Sequence, residues 1–168
     1  MALDKITLDR IKTLHPKVRK EVLDMYTHAN EVLLGKGVRL RFSYTLRTNK
    51  EQDALYAQGR TVKGTKVTDA KGGQSIHNYG LALDIVLLYD NDGDGKFEEA
   101  SWNTLRDGDK DDVSDWLEVT RYFESQGWKN GFIKNGKKWD FPHFQKDFGY
   151  TWQKLQAMKK DEDGYVLI

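Results

Sequence analysis

Ser75-Ile76-His77-Asn78-Tyr79-Gly80-Leu81-Ala82-Leu83-Asp84 is the stretch on which the reading of the chain turns. A histidine and an aspartate stand seven residues apart with a glycine between them, and the aspartate lies inside the most apolar run of the sequence, Leu81 to Leu88. An ionised carboxylate in such a run is costly unless a cation or several donors compensate it. Read alone, the stretch leaves open a solvent-facing Asp on a half-exposed strand with a surface His upstream, because a short motif is only a hypothesis. An odd spacing also alternates faces along a continuous strand. His77 and Asp84 therefore converge only if His77 sits in a turn before Gly80, where glycine lets the backbone reverse, and Asp84 sits in the strand.

Further along, Trp139-Asp140-Phe141-Pro142-His143-Phe144 supplies another Asp and another His among apolar neighbours. Two His and one Asp make three metal ligands and leave the second Asp for chemistry. Three protein ligands plus a water is the arrangement of a catalytic zinc site with an open position. Pro142 argues against a helix through Asp140 and His143. Their i, i+3 spacing therefore requires a bent or bulged strand end if both are to face one metal. A third stretch runs from Thr45 to Arg60 and contains Arg47, Gln52 and the run Ala54-Leu55-Tyr56-Ala57-Gln58-Gly59-Arg60-Thr61.

Together these motifs resemble the zinc peptidases of the D-alanyl-D-alanine metallopeptidase group, in which S-x-H-x-x-G-x-x-x-D is followed far downstream by D-x-P-H. Within that group the chain is most similar to phage endolysins that act as L-alanyl-D-glutamate peptidases. In those enzymes an Arg and a Gln precede the zinc motif, matched here by Arg47 and Gln52, and a run like Ala54 to Thr61 follows. The resemblance spans residues 40–145. It implies an α+β fold, an antiparallel sheet with packed helices of the hedgehog/DD-peptidase-like kind, over residues 1–168 as one catalytic domain. It implies Zn²⁺ held by His77, Asp84 and His143, with Asp140 as general base. Arg47 is expected to clamp a substrate carboxylate or the developing oxyanion, since a guanidinium offers a planar pair of donors. Gln52 and Ser75 are expected to add hydrogen bonds to the same substrate group. The implied substrate is the stem peptide of bacterial peptidoglycan, cut between L-alanine and D-glutamate, so that the host cell lyses. Two other readings stand beside it: a D-alanyl-D-alanine dipeptidase or carboxypeptidase with the same metal site, and a non-catalytic wall-binding domain on the same scaffold.

Composition narrows the alternatives. The 168 residues contain no cysteine, which removes disulfide frameworks and thiolate metal sites. Leu81 to Leu88 is too short to span a bilayer, so no stable membrane insertion is expected. The N-terminus lacks a signal-peptide pattern. The expected location is the host cytoplasm before lysis and the cell wall after release, as a monomer. Net charge is +1, but residues 90–118 hold 11 of the 26 acids and three of the 27 bases, leaving the rest of the chain at +9. A basic body suits anionic envelope polymers. No nucleic-acid-binding motif appears, and no nucleic-acid partner is expected.

Periodicity places the remaining elements. Residues 16–34 read as a helix, with Pro16 at its first position and an apolar face from Val18, Val22, Met25, Tyr26, Ala29, Val32 and Leu33. His15 and His28 have no ligand-type partner in sequence and read as structural or exposed. Val38 to Tyr44 alternates as a strand. Asn49 reads as an N-cap with Gln52 at the capping-box position. Residues 60–75 read as a mobile loop entering the first motif. Ser114 reads as the N-cap of a helix that ends at Gly127. Trp128 to Phe132 and Lys138 to Phe144 read as a hairpin turning at Asn135-Gly136. Thr151 reads as the cap of a last short helix, and Val166 to Ile168 as a terminal strand.

The acidic insertion Asp90-Asn91-Asp92-Gly93-Asp94-Gly95 matches the first half of a calcium loop, with carboxylates at positions 1, 3 and 5 before a glycine. Lys96 would offer its backbone carbonyl at position 7. Position 12 is Ser101 rather than Glu, so Glu99, Glu98 or the later cluster Asp107, Asp109, Asp111 and Asp112 must supply the missing carboxylate. A Ca²⁺ ion held by Asp90, Asp92, Asp94, Lys96 and Glu99 is expected to raise activity by ordering the strand end beyond Asp84.

Overall fold

A computed structural model of the protein describes residues 3–168. Helices α1 (Lys5–Thr13) and α2 (Pro16–His28) precede strand β1 (Val38–Tyr44) and helix α3 (Asn49–Ala57). A 3₁₀ turn (Ile76–Tyr79) leads into β2 (Ala82–Tyr89), followed by β3 (Glu99–Ser101) and α4 (Asp115–Ser125). The chain ends with β4 (Lys129–Lys134), β5 (Lys137–Gln145) and α5 (Trp152–Ala157). The sheet runs β1-β2-β5-β4 with β3 on the far half of β2, and every pairing is antiparallel. The α+β expectation therefore holds, with β2 at the centre. Its near-continuous apolar sequence is the signature of a strand buried on both faces, and only Asp84 within it is less than fully buried.

The core lies where α2 and α4 cross the sheet. Val18, Val22, Met25 and Tyr26 of α2 share one buried cluster with Val119 and Phe123 of α4 and with Leu40, Phe42, Leu83, Ile85 and Phe144 of the sheet. Phe123 contacts both Phe42 and Phe144 edge-on, at ring-centroid distances of 6.3 and 5.2 Å, a geometry that aromatic quadrupoles favour. This packing fixes β2 and β5 against each other, and those two strands carry the candidate site.

Several local details differ from the sequence reading. The helix starting at Pro16 ends at His28 and continues as a π turn, Ala29–Leu33. Asn30 explains the widening: its amide donates to the Tyr26 carbonyl (3.0 Å) and accepts from the Leu40 N–H (2.8 Å), joining the helix end to β1. The N-cap of α3 is Thr48, one residue before Asn49, and Glu51 completes the capping box. Gln52 is thereby released from capping and turns inward. Val166 makes an isolated bridge to Lys160 rather than a terminal strand. The hairpin turns at Asn135 and Gly136, both at positive φ (52° and 71°), as a type I′ turn requires. The short strand β3 was not anticipated; the acidic insertion returns through it to pair with Leu87–Tyr89.

Candidate active site

Asp84 and His143 are directly opposed across the β2–β5 ladder, so their side chains emerge side by side on one face. His77 reaches them from the 3₁₀ turn. Gly80 closes that turn in the left-handed region (φ 68°), and a Cβ there would collide with the backbone of Leu14 and His15. The reversal expected at Gly80 is therefore built, and only glycine fits it.

The bulge expected near Asp140 is also present. The β4–β5 ladder pairs Phe132 with Trp139 and Asn130 with Phe144, so residues 140–143 of β5 stand opposite Gly131 alone. Asp140 takes a positive φ of 56°. A Cβ on Gly131 would strike the Trp139 and Asp140 carbonyls, so the bulge requires a glycine across from it. Asn130 secures the bulge by donating to the carbonyls of Phe141 (2.8 Å) and His143 (3.0 Å).

Three atoms converge. His77 Nε2 lies 3.2 Å from Asp84 Oδ1 and 3.2 Å from His143 Nδ1, and His143 Nδ1 lies 3.3 Å from Asp84 Oδ1. The other ring nitrogens settle the tautomers. His77 Nδ1 faces the Thr45 carbonyl at 2.8 Å, which only an N–H can satisfy. His143 Nε2 faces Gln145 Oε1 at 2.9 Å. The orientation of that amide is set because its nitrogen donates to Asp147 Oδ2 (2.7 Å), and Asp147 in turn accepts from Lys129. Both imidazoles thus turn a lone pair towards a carboxylate oxygen, three acceptors facing one point with no donor between them. Tetrahedral ligation at about 2.0–2.1 Å needs ligand separations of about 3.3 Å. The triangle has those edges, so the donor set fits a divalent cation with a further position open.

The electrostatics agree. Burial opposes ionisation of Asp84, but hydrogen bonds and charge from His143 and His77 hold its carboxyl far below the usual range. Burial likewise opposes charge on His143, yet Asp84 and then Gln145 draw its pKa up. Both shifts come from the close approach of Asp84 to the two imidazoles. Asp140 behaves differently, its carboxyl raised mainly by burial, with Asp84 adding to the rise and His143, His77 and Arg47 opposing it. Of the two carboxyls at the site, that of Asp84 is lowered and that of Asp140 is raised.

A cleft of 1440 Å³ opens over these groups, lined by Arg47, Ser75, His77, Asp84, Asp140 and His143 with Tyr44, Phe132 and Trp139 as aromatic walls. Phe132 stacks on the His143 ring at 4.7 Å. Arg47 brings its guanidinium to 4.0 Å from Asp84 Oδ2. Gln52 is fully buried; its oxygen accepts from Arg47 (3.1 Å) and its amide nitrogen donates to the Ala70 carbonyl (2.8 Å). It therefore stands behind Arg47 and does not line the cleft. Ser75 heads the 3₁₀ turn, its N–H donated to Asn78 Oδ1 (3.1 Å). His15 and His28 lie elsewhere, the first bonded to the Val166 carbonyl and the second against Tyr122.

The sequence reading missed Gln145, Asp147 and Thr45. Gln145 carried a usable signal, since it stands two residues from His143 and so shares its face of the strand. In the acidic insertion Asp90, Asp92 and Asp94 do gather. Glu99 does not join them: it accepts from Arg106 (2.8 Å) and Asn91 (2.8 Å). The Lys96 ammonium pairs with Asp94.

A family model described as VanY: D-alanyl-D-alanine carboxypeptidase matches residues 12–138. The peptidoglycan L-alanyl-D-glutamate endopeptidase CwlK of Bacillus subtilis (strain 168) is 39% identical over 133 residues, 79% of this chain and 72% of that protein. The crystal structure of the L-Ala D-Glu endopeptidase ChiX of Serratia marcescens matches with a TM-score of 0.52 at 20% identity, covering 88% of this chain and 91% of that one. The likeness to ChiX establishes the hedgehog/DD-peptidase-like fold. The span of the family match and the identity to CwlK together place this chain in the VanY D-alanyl-D-alanine carboxypeptidase family.

Proposed function

We propose that the protein is a zinc-dependent peptidoglycan endopeptidase that hydrolyses the L-alanyl-D-glutamate bond of stem peptides. The observation that carries the reading is the triangle of lone pairs from His77, Asp84 and His143 at the floor of the cleft. The identity to CwlK, a protein named for that activity, supports the choice of bond. Zinc at such a site supplies Lewis acidity and a more acidic water. Asp140 takes the proton of the attacking water and delivers it to the leaving amine; burial, which raises its pKa, suits it to both transfers. Arg47 sits beside Asp84, so the group it binds is at or next to the reacting carbonyl. Gln52 orients Arg47, and Ser75 presents the edge of the 3₁₀ turn to substrate.

The lysis role, with a monomer held in a host cytoplasm until release, rests on the likeness of the three motifs to phage enzymes. Asp90, Asp92 and Asp94 gather, but Glu99 is paired with Arg106 and Asn91 and the Lys96 ammonium with Asp94, so the reading includes no regulatory calcium at residues 90–99.

The test is metal analysis of purified protein together with mass spectrometry of a peptidoglycan digest. Bound zinc and new N-terminal D-glutamate are the expected results. Release of free D-alanine would replace this reading with the carboxypeptidase named in the family description. Wall binding without any cleavage by zinc-loaded protein would leave the non-catalytic reading.

A further inference from the structure

A second group of carboxylates lies between β3 and α4, away from the cleft. Its sequence is Asp107-Gly108-Asp109-Lys110-Asp111-Asp112-Val113-Ser114-Asp115-Trp116-Leu117-Glu118. A twelve-residue calcium loop takes ligands from positions 1, 3, 5, 7 through its carbonyl, 9, and 12 through a Glu, with a glycine at position 6 for the sharp turn. Here those positions are Asp107, Asp109, Asp111, Val113, Asp115 and Glu118. Position 6 is Asp112, and it adopts the positive φ (71°) that the loop's glycine normally provides. The exiting helix also begins where such a loop requires it, α4 starting at Asp115 with Ser114 as its cap.

The structure folds these residues onto one another. Asp107, Asp109 and Asp115 bring carboxylate oxygens within 4.8 Å of each other, and so do Asp109, Asp111 and Glu118. Asp115 is fully buried. Its Oδ2 accepts from the Tyr89 hydroxyl (2.8 Å) and the Gly108 N–H (2.8 Å), whereas its Oδ1 is buried with no partner. Asp109 Oδ1 and Glu118 Oε2 are buried and unpartnered as well. Three orphaned acceptor atoms within one cluster are expensive unless something positive meets them. Among the described residues no lysine forms an ion pair with any of the five carboxylates, and Arg106, the nearest arginine in sequence, is turned to Glu99 and Asn91. Burial and then the neighbouring carboxylates hold the Glu118 carboxyl up at about 7.

Helix capping does not account for the arrangement. Leu117 occupies the third helical position from which a capping-box carboxylate reaches back, and Glu118 lies one residue beyond it. We propose that residues 107–118 form a calcium site, with Asp107, Asp109, Asp111, Asp115, Glu118 and the Val113 carbonyl as its oxygen ligands. The ion joins three elements. Asp109 holds the Gly35 N–H after α2 (2.6 Å), Asp115 holds Tyr89 at the end of β2, and α4 carries Trp116, Val119 and Phe123 into the core. Calcium here clamps the start of α4 to the strand that carries Asp84.

The experiment titrates calcium into protein freed of it, with the His77–Asp84–His143 site left as purified. Calorimetry reads the binding, and terbium luminescence sensitised by Trp116, at position 10 of the loop, reads its place. One ion per chain is expected, with sub-millimolar affinity. Glu118→Gln is expected to weaken binding at least tenfold and to quench the terbium signal, while Asp92→Asn with Asp94→Asn leaves both unchanged. Asp111→Asn, at an exposed ligand, provides a second variant should Glu118→Gln fail to fold, and it carries the same expectation. No binding at millimolar calcium would overturn the proposal. So would affinity that survives Glu118→Gln and falls in the Asp92/Asp94 variant, which places the ion on the earlier loop. Equal affinity for magnesium would overturn the assignment to calcium.

Discussion

His143 turns its Nε2 to the side-chain oxygen of Gln145, 2.9 Å away and two residues further along the same strand. This contact determines which nitrogen of His143 is left to face His77 and Asp84. Partners of this kind, behind a ligand, typically contribute 10- to 100-fold in metal affinity. Gln145→Ala is therefore expected to weaken zinc binding by about 10- to 100-fold with the fold intact. Gln145→Glu, which keeps an acceptor at that position, is expected to hold zinc at least as well as the natural residue. Competition against a chelating dye measures both. An unaltered affinity in Gln145→Ala would mean that the ring is oriented by Phe132 stacking alone.

Asp140 faces the cleft from a bulge that leaves its carboxyl half-buried, and that burial raises its pKa. Asp140→Asn is expected to retain zinc and lower turnover by about 10²-fold or more, the usual contribution of a positioned general base. Zinc content and single-turnover rates measured on the same preparation separate the two effects. A variant that loses zinc in proportion to activity would make Asp140 a ligand instead.

The central strand and the reversal at Gly80 were legible in the sequence because each rests on local chemistry, whereas the bulge before His143 was required only if Asp140 and His143 were to face one metal. An apolar run marks a buried strand, and a glycine permits a tight left-handed reversal wherever it stands. Gln52 was less legible. Its spacing from Asn49 fitted a cap, and only the competition from Thr48 and Glu51 shows why it turns inward to Arg47. The π turn at Ala29–Leu33 depends on Asn30 meeting Leu40, a contact between elements that periodicity does not carry. In the acidic region the stretch Asp90 to Gly95 is the more legible, because its glycine stands at the usual place. The fuller ligand pattern at 107–118 was masked because Asp112 takes the glycine's backbone conformation.

Asp4 offers a test of the fold that is independent of the site. It caps α1, bonds Thr7 Oγ1 (2.7 Å) and pairs through both oxygens with Arg41 on β1 (2.8 and 2.9 Å). Burial pushes its carboxyl up, but Arg41 and Thr7 prevail and hold it below the usual range. A depressed folded-state pKa contributes stability above the unfolded value that is lost as pH falls through the folded value. Asp4→Asn keeps the cap and removes the charge. It is expected to destabilise by about 1–2 kcal/mol at neutral pH, with the difference closing below the ordinary carboxylate range. Urea unfolding across that range measures it, and a gap that persists at low pH would assign the loss to packing rather than to the ion pair.

Arg47 and Gln52 test the substrate side of the site. Arg47 reaches the cleft while Gln52 is buried behind it, so under the proposed function Arg47 is expected to touch substrate and Gln52 to act through it. Removing a donor that stabilises a developing oxyanion costs about 10²- to 10³-fold in rate, and Arg47→Ala is expected to fall in that range. Arg47→Lys should recover little, because a point charge does not replace the planar fork. Gln52→Ala frees Arg47 and leaves the Ala70 carbonyl without its donor, so a smaller loss is expected. The decisive measurement is the double variant, since residues that act as a unit are not additive. Gln52→Ala should cost little further in kcat/KM once Arg47 is already alanine. Losses that add in full would mean that Gln52 meets the substrate itself, as the sequence reading expected. Running the cycle on stem peptides with free and with amidated D-glutamate then separates Arg47's two roles. A loss confined to the free acid identifies a carboxylate clamp, and an equal loss on both identifies the oxyanion.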